Sequence, residues 1–375
     1  MSAKFLRRSF AVYIFLLILI AICIHMYEKK VSSVSDKEHI TWQNETSKIS
    51  QATRDSESPL VPDISHIAAF KPKEVHYKGS GLWAADIEDT SYPSINISVV
   101  QNILEERYHK VLENCLAVLS PLELEKPINS KEFLISEKYK LIWCNIFKSA
   151  SSSWLYNFLV MAGVKEKDMK VSQTSPIEFA RTHYKRPSSE KLLSYLFNPS
   201  VEYTSFIIVR DPFERLLSAY RDKIESQSQK YYKHLRCKIE KDYAPKVLNP
   251  KGRDCKPSFP AFVDYVIDEH SKGNTPNEHW APYYTFCSPC QVHFDYILHF
   301  ETLAADEAYL VNAVSGLSSV VTPHKLHASH TSYGELTMKY FQLLSLSQLE
   351  KLYSIYEKDF RIFDYDSQKY FQYIT

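Results

Sequence analysis

Two segments of the chain repeat one pattern: an apolar run of strand length, a polar loop, then apolar residues at helical spacing. The first is LIWCNIFKSASSSWLYNFLVMAG, Leu141 to Gly163, and the second is TSFIIVRDPFERLLSAYRDKI, Thr204 to Ile224. Strand and helix signals alternate in this way to the end of the chain. Strands separated by helices pair in parallel through crossovers. The expected fold is therefore α/β, a parallel sheet with helices on both faces. Ahead of it, VVQNILEERYHKVLENCLAVL puts Val100, Ile103, Leu104, Val111, Leu112, Cys115 and Leu116 on one helical stripe.

In the first segment the strand is Leu141 to Ile146, the helix stripe is Trp154, Leu155, Phe158, Leu159 and Ala162, and Gly163 is a natural stop. The loop Lys148 to Ser153 then ends at a helix N-terminus, where free N–H groups and the positive dipole end favour an anion. Serine hydroxyls add donors, and Lys148 adds a mobile charge. The nucleotide loop GxxxxGK[ST] is absent, and a serine N-cap on an ordinary connection is an equal alternative. The second segment has Arg210 at the tip of strand Ser205 to Val209, Asp211 as N-cap, Pro212 at the first helical position and Glu214 completing a capping-box-like pattern. An arginine at a strand tip can engage a phosphate bidentately, and pairing of Arg210 with Asp211 or Glu214 is the structural alternative. Two such loops suggest a ligand with two separated phosphates.

The ends and the cysteines speak to compartment. Lys4, Arg7 and Arg8 precede an apolar run from Phe10 through Met26, a stretch at the short end of bilayer-spanning length. No small-residue cleavage signal follows it, so residues 1–9 read as a cytosolic tail, 10–26 as a transmembrane signal-anchor, 27–98 as a polar luminal stem and 99–375 as the folded domain. Six cysteines lie in that domain, at 115, 144, 237, 255, 287 and 290. In an oxidising lumen they permit three disulfides, with the pairing left open. The pair in CSPC admits zinc in principle, but no second ligand pair stands at a recognised spacing, and no metal is expected. Sequons stand at Asn44 and Asn96. The net charge of +1 averages over unlike regions: Arg221 to Lys256 holds 11 Lys and Arg against 5 Asp and Glu, interleaved with Tyr231, Tyr232 and Tyr243.

Lys148-Ser149-Ala150-Ser151-Ser152-Ser153-Trp154 resembles the 5′-phosphosulfate loop of sulfotransferases. Arg210-Asp211-Pro212-Phe213-Glu214-Arg215-Leu216-Leu217-Ser218 closely resembles their 3′-phosphate motif. HWAPYYTFCSPCQVHFDYILHFETLAAD, His279 to Asp306, and LLSLSQLEKLYSIYEKDFRIFDYD, Leu343 to Asp366, are similar to blocks of the Golgi carbohydrate sulfotransferases, the group of the chondroitin and dermatan 4-O-sulfotransferases and the glucuronyl 3-O-sulfotransferase. The first loop departs from that pattern at Phe147, where proline is usual, and at Ala150 and Ser151, where glycine and cysteine or threonine are common.

The resemblance implies a P-loop-NTPase-like sheet, 3′-phosphoadenylyl sulfate (PAPS) as sulfate donor, and a type II Golgi membrane protein with a luminal catalytic domain. Lys148 and the loop N–H groups would stabilise charge on the bridging oxygen, Ser152, Ser153 or both would bind the 5′-phosphate, and Arg210 and Ser218 the 3′-phosphate. His183, in ARTHYKR, and His279 are the candidate general bases, with His183 slightly ahead. The basic, aromatic stretch after the second motif suits an acidic polysaccharide such as a glycosaminoglycan, while a luminal address disfavours nucleic acid. A P-loop kinase and an inactive glycan-binding protein are the rival readings, the second motivated by the altered first loop.

Overall fold

In a computed structural model the described residues are 92–172, 174–198, 200–226, 230–244, 254–321 and 333–374. The run at 10–26, the sequon at Asn44 and most of the stretch read as stem lie outside them. Among the described residues no helix is long and apolar enough to cross a membrane. Tyr92 and Ile95, which the sequence reading assigned to the stem, pack against the core, because each brings an apolar surface that a solvated stem would leave in water.

Among the described residues the sheet has four strands in the order β1 (Phe133–Ser136), β2 (Leu141–Cys144), β3 (Thr204–Val209) and β4 (Tyr296–His299). β2, β3 and β4 run parallel, whereas β1 is antiparallel to β2. The expected all-parallel sheet is corrected there. Residues 137–140 join β1 to β2, with Lys140 at φ 51, and so short a link can only turn back on itself. The carboxyl ends of β2, β3 and β4 all point to one end of the sheet.

Every residue of β2 and β3 is buried, as befits strands covered on both faces. On one face Ile142, Cys144, Ile207, Val209 and Ile297 meet Tyr108, Val111 and Cys115 of helix α1 (Ile97–Val118). On the other, Leu141, Trp143, Phe206, Ile208 and Leu298 meet Trp154, Leu155, Phe158 and Leu159 of α2 (Ser151–Met161). α1 contributes Val100 and Leu104 to this second layer, so it passes the β4 edge and serves both. Tyr108 belongs to its buried stripe, and Leu116 does not, being half exposed. The helix starts at Asn96, whose Oδ1 accepts from Val99 N and Ser98 Oγ.

A third core lies among α4 (Pro212–Ala219), α6 (Phe259–Ser271) and α8 (Leu346–Ile362), built on Phe213, Leu216, Phe262, Leu352 and Phe360. Three disulfides lock the layers: Cys115–Cys290, Cys144–Cys287 and Cys237–Cys255. Both CSPC cysteines are thus bonded to partners far away in sequence, which removes their thiolates from any zinc site. Cys144–Cys287 also ties the carboxyl end of β2, next to the first loop, to the segment after His279.

Candidate functional site

At the β2 tip the chain turns through two left-handed residues, Lys148 at φ 71 and Ala150 at φ 57, into the N-terminus of α2. Alanine holds the geometry for which glycine is the usual choice, at a cost of roughly 1–2 kcal/mol. The first helical hydrogen bond runs from Trp154 N to Ala150 O, so the N–H groups of Ser151, Ser152 and Ser153 stand ahead of it at the positive end of the helix. At the other end, Gly163 (φ 82) closes α2, donating to Val160 O while Val164 N reaches Leu159 O.

At the β3 tip, Asp211 caps α4 by accepting from Phe213 N (3.0 Å) and Glu214 N (3.2 Å), and Pro212 opens the helix. The capping box does not close. Asp211 N donates to Glu301 Oε1 at 2.9 Å, leaving the Glu214 carboxylate 3.5 Å from Arg210 and 3.9 Å from Lys369. Asp211 is held further by Tyr370 Oη (2.5 Å) and Lys369 Nζ (2.9 Å) from the C-terminal segment. The Arg210 guanidinium is buried over the Phe300 ring, 4.5 Å from its centroid, and Ser218 lies half-buried two turns along α4.

The two motifs adjoin. Arg215 donates to Phe147 O (2.9 Å), Ala281 O (2.8 Å) and Glu278 O (3.2 Å), and its guanidinium lies 4.7 Å from the Tyr283 ring centroid. This fully buried arginine is therefore a clamp joining the first loop to the His279 block. Tyr283 Oη donates to Arg210 O at 2.8 Å and accepts from Arg210 N, and Asp359 accepts from Tyr283 N and Tyr284 N. Lys148 Nζ is 2.9 Å from Asp222 Oδ2, and Lys223 Nζ is 3.1 Å from the same oxygen. Asp222 and Lys223 lie in a π-helical turn, Tyr220–Glu225, that continues α4. The sequence reading assigned neither to the site. In the string they look like a solvated helix face, and only the widened turn swings them onto the loop.

His279 is buried in this cluster. Its Nδ1 lies 2.9 Å from Asn277 Oδ1 and 3.1 Å from Tyr232 Oη, and its ring packs on Phe147, centroids 4.7 Å apart. Burial, then the positive charges of Lys223 and Lys148, depress its pKa to about 2, so the imidazole is neutral. Asp222 is pushed up by burial, but the two ammonium groups outweigh this and hold it at about 2. Lys148 is drawn down by burial, which Asp222 opposes and the charges of Lys223 and Arg210 reinforce. His183 ends α3 (Pro176–His183) on an exposed face, and its Nδ1 contacts are local: Thr182 Oγ1 at 2.8 Å and Phe179 O at 3.4 Å.

Other residues of the two motifs face the core. Phe213, Leu216 and Leu217 pack in the third cluster, and Pro212 is buried. Trp154 offers the loop neither its ring nor its N–H: the indole is wholly buried against Trp143 and Phe206, and Nε1 donates to Glu307 Oε1 at 2.6 Å. Glu307, on α7 (Leu303–Ala313), is raised by burial to about 7, with the Trp154 bond opposing the rise. Because an unfolded glutamate titrates near about 4.3, the folded state holds the proton longer, and ionised Glu307 lowers stability as pH rises toward 7. Glu307→Gln keeps an acceptor for the indole and removes that charge. Its melting temperature relative to wild type rises between pH 5 and pH 8, by roughly 2–4 °C per kcal/mol relieved. A difference that stays constant with pH contradicts this.

Several basic side chains of the stretch, on α5 (Lys233–Tyr243), have partners within the fold. Lys233 pairs with Asp254 (3.7 Å), Lys238 with Glu269 (3.3 Å), and buried Arg236 donates to the carbonyls of Lys223 and Ser226. Tyr243 Oη is bonded to Asp268, whereas Tyr231 is 86% exposed beside Tyr232. Residues 245–253 of the stretch lie outside the described ones.

Comparison with known proteins bears on this arrangement. The profile described as Sulfotransferase family matches residues 131–366. Carbohydrate sulfotransferase 11 of Rattus norvegicus is 30% identical over 254 residues, covering 65% of this chain and 70% of that protein. Carbohydrate sulfotransferase 14 of Danio rerio is 28% identical over 300 residues, 78% of this chain and 76% of that protein. Carbohydrate sulfotransferase 8 of Mus musculus is 27% identical over 250 residues, 64% and 57% respectively. Among solved structures there is no significant match.

Proposed function

The chain belongs to the sulfotransferase family, and from this premise we propose that it transfers the sulfuryl group of PAPS to a glycan hydroxyl, with the two adjoining strand tips holding opposite ends of the donor. The observation that carries the reading is the contact between the motifs: Arg215 grips Phe147 O and Lys148 reaches Asp222, which supports the α2 and α4 N-termini serving one ligand. A donor with a 3′-phosphate against Arg210 and Ser218 and a 5′-phosphosulfate against the N–H groups of Ser151 to Ser153 fits that placement. The P-loop-like character of the site lies in these strand-loop-helix units, on a mixed sheet.

In the transfer the bond between sulfur and the bridging phosphate oxygen breaks and a bond from sulfur to the acceptor oxygen forms. Adenosine 3′,5′-bisphosphate leaves, its new negative charge facing Lys148, and the acceptor proton passes to a base. His279 takes precedence over His183 for that role, because it shares the buried cluster with Lys148. Donor negative charge offsets the two lysines that help depress its pKa, so the imidazole becomes more basic when the donor is in place. His279→Gln is expected to lower the single-turnover rate about 10²- to 10⁴-fold with nucleotide affinity kept. His183→Gln should stay near wild type, and the reverse ranking in single-turnover assays would return the role to His183.

The acceptor is read as a glycosaminoglycan of the chondroitin or dermatan class, supported by the resemblance carried by the His279–Asp306 and Leu343–Asp366 blocks and by exposed Tyr231 beside the Tyr232–His279 contact, while the relatives' names say only that their acceptor is a carbohydrate. A single-pass Golgi anchor at 10–26 with a luminal domain is supported by the apolar run and by three disulfides, which need an oxidising compartment. Radiolabelled sulfate transfer from PAPS to a panel of desulfated glycans tests the function, with label expected in desulfated chondroitin or dermatan. Donor binding without transfer to any glycan would favour the inactive binding protein. Retention on ATP resin but not on adenosine 3′,5′-bisphosphate resin would favour the kinase.

A further inference from the structure

We propose that Asp222 is the positioning residue of sulfuryl transfer: its carboxylate fixes the Lys148 ammonium group within a half-buried, cation-rich cluster. The inference rests on the sulfotransferase reading, with Lys148 opposite the bridging oxygen. Its ground is the convergence of two ammonium groups on one oxygen, Lys148 at 2.9 Å and Lys223 at 3.1 Å, from different elements of the fold. The turn that carries Asp222 departs from α-helical geometry at that point, and π turns of this kind gather at functional sites.

The surroundings explain why a counter-ion is needed. Lys148 faces Lys223 on the π turn and the guanidinium of Arg210 at the β3 tip, both disfavouring its charge, and burial disfavours it further. Asp222 faces Lys148 from the first loop, Lys223 beside it, and, through their electrostatic coupling to it, Tyr232 and the neutral His279 from the segments that close over the turn. Among these groups Asp222 is the carboxylate bonded to Lys148. A buried lysine that loses its counter-ion releases its proton at lower pH. Such an amine cannot neutralise charge on the leaving oxygen.

The test uses the full 375-residue chain in detergent. Single-turnover rates with PAPS are followed from pH 6 upward, and the reactivity of Lys148 toward acetic anhydride is read by peptide mass spectrometry over the same range. In Asp222→Asn the alkaline limb of the rate and the Lys148 acylation midpoint should both move to lower pH by about 1–3 units, and Asp222→Glu should restore most of the shift. In Lys148→Arg the alkaline limb disappears, because guanidinium does not titrate there, and adding Asp222→Asn moves nothing further. An Asp222→Asn midpoint at the wild-type position overturns the proposal. Should that variant not fold, Lys223→Met gives the converse: loss of the competing cation moves the Lys148 midpoint to higher pH, and an unmoved midpoint is equally fatal. If wild type transfers no sulfate while the Lys148 midpoint still depends on Asp222, the sulfotransferase reading fails and the ion-pair role stands.

Discussion

Arg210→Ala weakens binding of adenosine 3′,5′-bisphosphate by about 100-fold or more, equivalent to roughly 2.7 kcal/mol, and leaves the protein folded. The affinity loss follows from removing a desolvated cation at the β3 tip, where a phosphate would be engaged by two parallel hydrogen bonds. The fold is expected to survive because Arg210 contacts the Phe300 ring and Glu214 at the β3 tip, and Lys369, 3.9 Å from Glu214, offers that carboxylate a second cation. Arg215 supplies the contrast. It is equally buried and five positions along, but its guanidinium is bonded to three backbone carbonyls, each of which loses that donor when the side chain is removed. Arg215→Ala should destabilise the fold by about 3–5 kcal/mol, by analogy with breaking a buried charged network. Calorimetric titration and thermal melts on both variants separate the roles. Unchanged nucleotide affinity in folded Arg210→Ala removes that residue from the donor site.

Lys148→Ala lowers the single-turnover rate by about 10²- to 10³-fold while nucleotide affinity changes less than tenfold. The asymmetry has a structural reason. In the free protein Lys148 already has an anionic partner in Asp222 and keeps it, so the ground-state charge of the donor adds little to the binding. Full charge on the leaving oxygen exists only as the sulfur–oxygen bond breaks, and there the ammonium group has its effect. Equal single-turnover rates in wild type and Lys148→Ala would contradict the role. A loss of affinity as large as the loss of rate would mean that Lys148 binds the ground state instead.

Local pattern made both strand-loop-helix units readable from sequence: the apolar runs, Asp211 as cap, Pro212 after it and Gly163 as stop act over a few residues. What failed was decided at longer range. The alternation of strands and helices does not signal β1, because FLIS and LIWC lie too close together for a crossover and pair antiparallel. Disulfide pairing depends on which distant loops meet, and spacing alone carries no such information. Arg210 and Arg215 are chemically identical in the string, and only the carbonyls around the second show it to be a clamp. Trp154 sits inside a loop motif, but helical geometry turns it into the core against Glu307. Glu214 stands where a capping box wants it, yet Glu301 from 87 residues later takes the bond. His279 touches Tyr232 and Asn277, contacts that no periodicity foretells.

A crystal structure of the chain with adenosine 3′,5′-bisphosphate is the most direct measurement. The nucleotide should lie across the β2 and β3 tips, its 3′-phosphate on Arg210 and Ser218 and its 5′-phosphate at the N–H groups of Ser151 to Ser153, with Lys148 facing it while still bonded to Asp222. A nucleotide touching one tip alone, or bound away from both, would contradict the account.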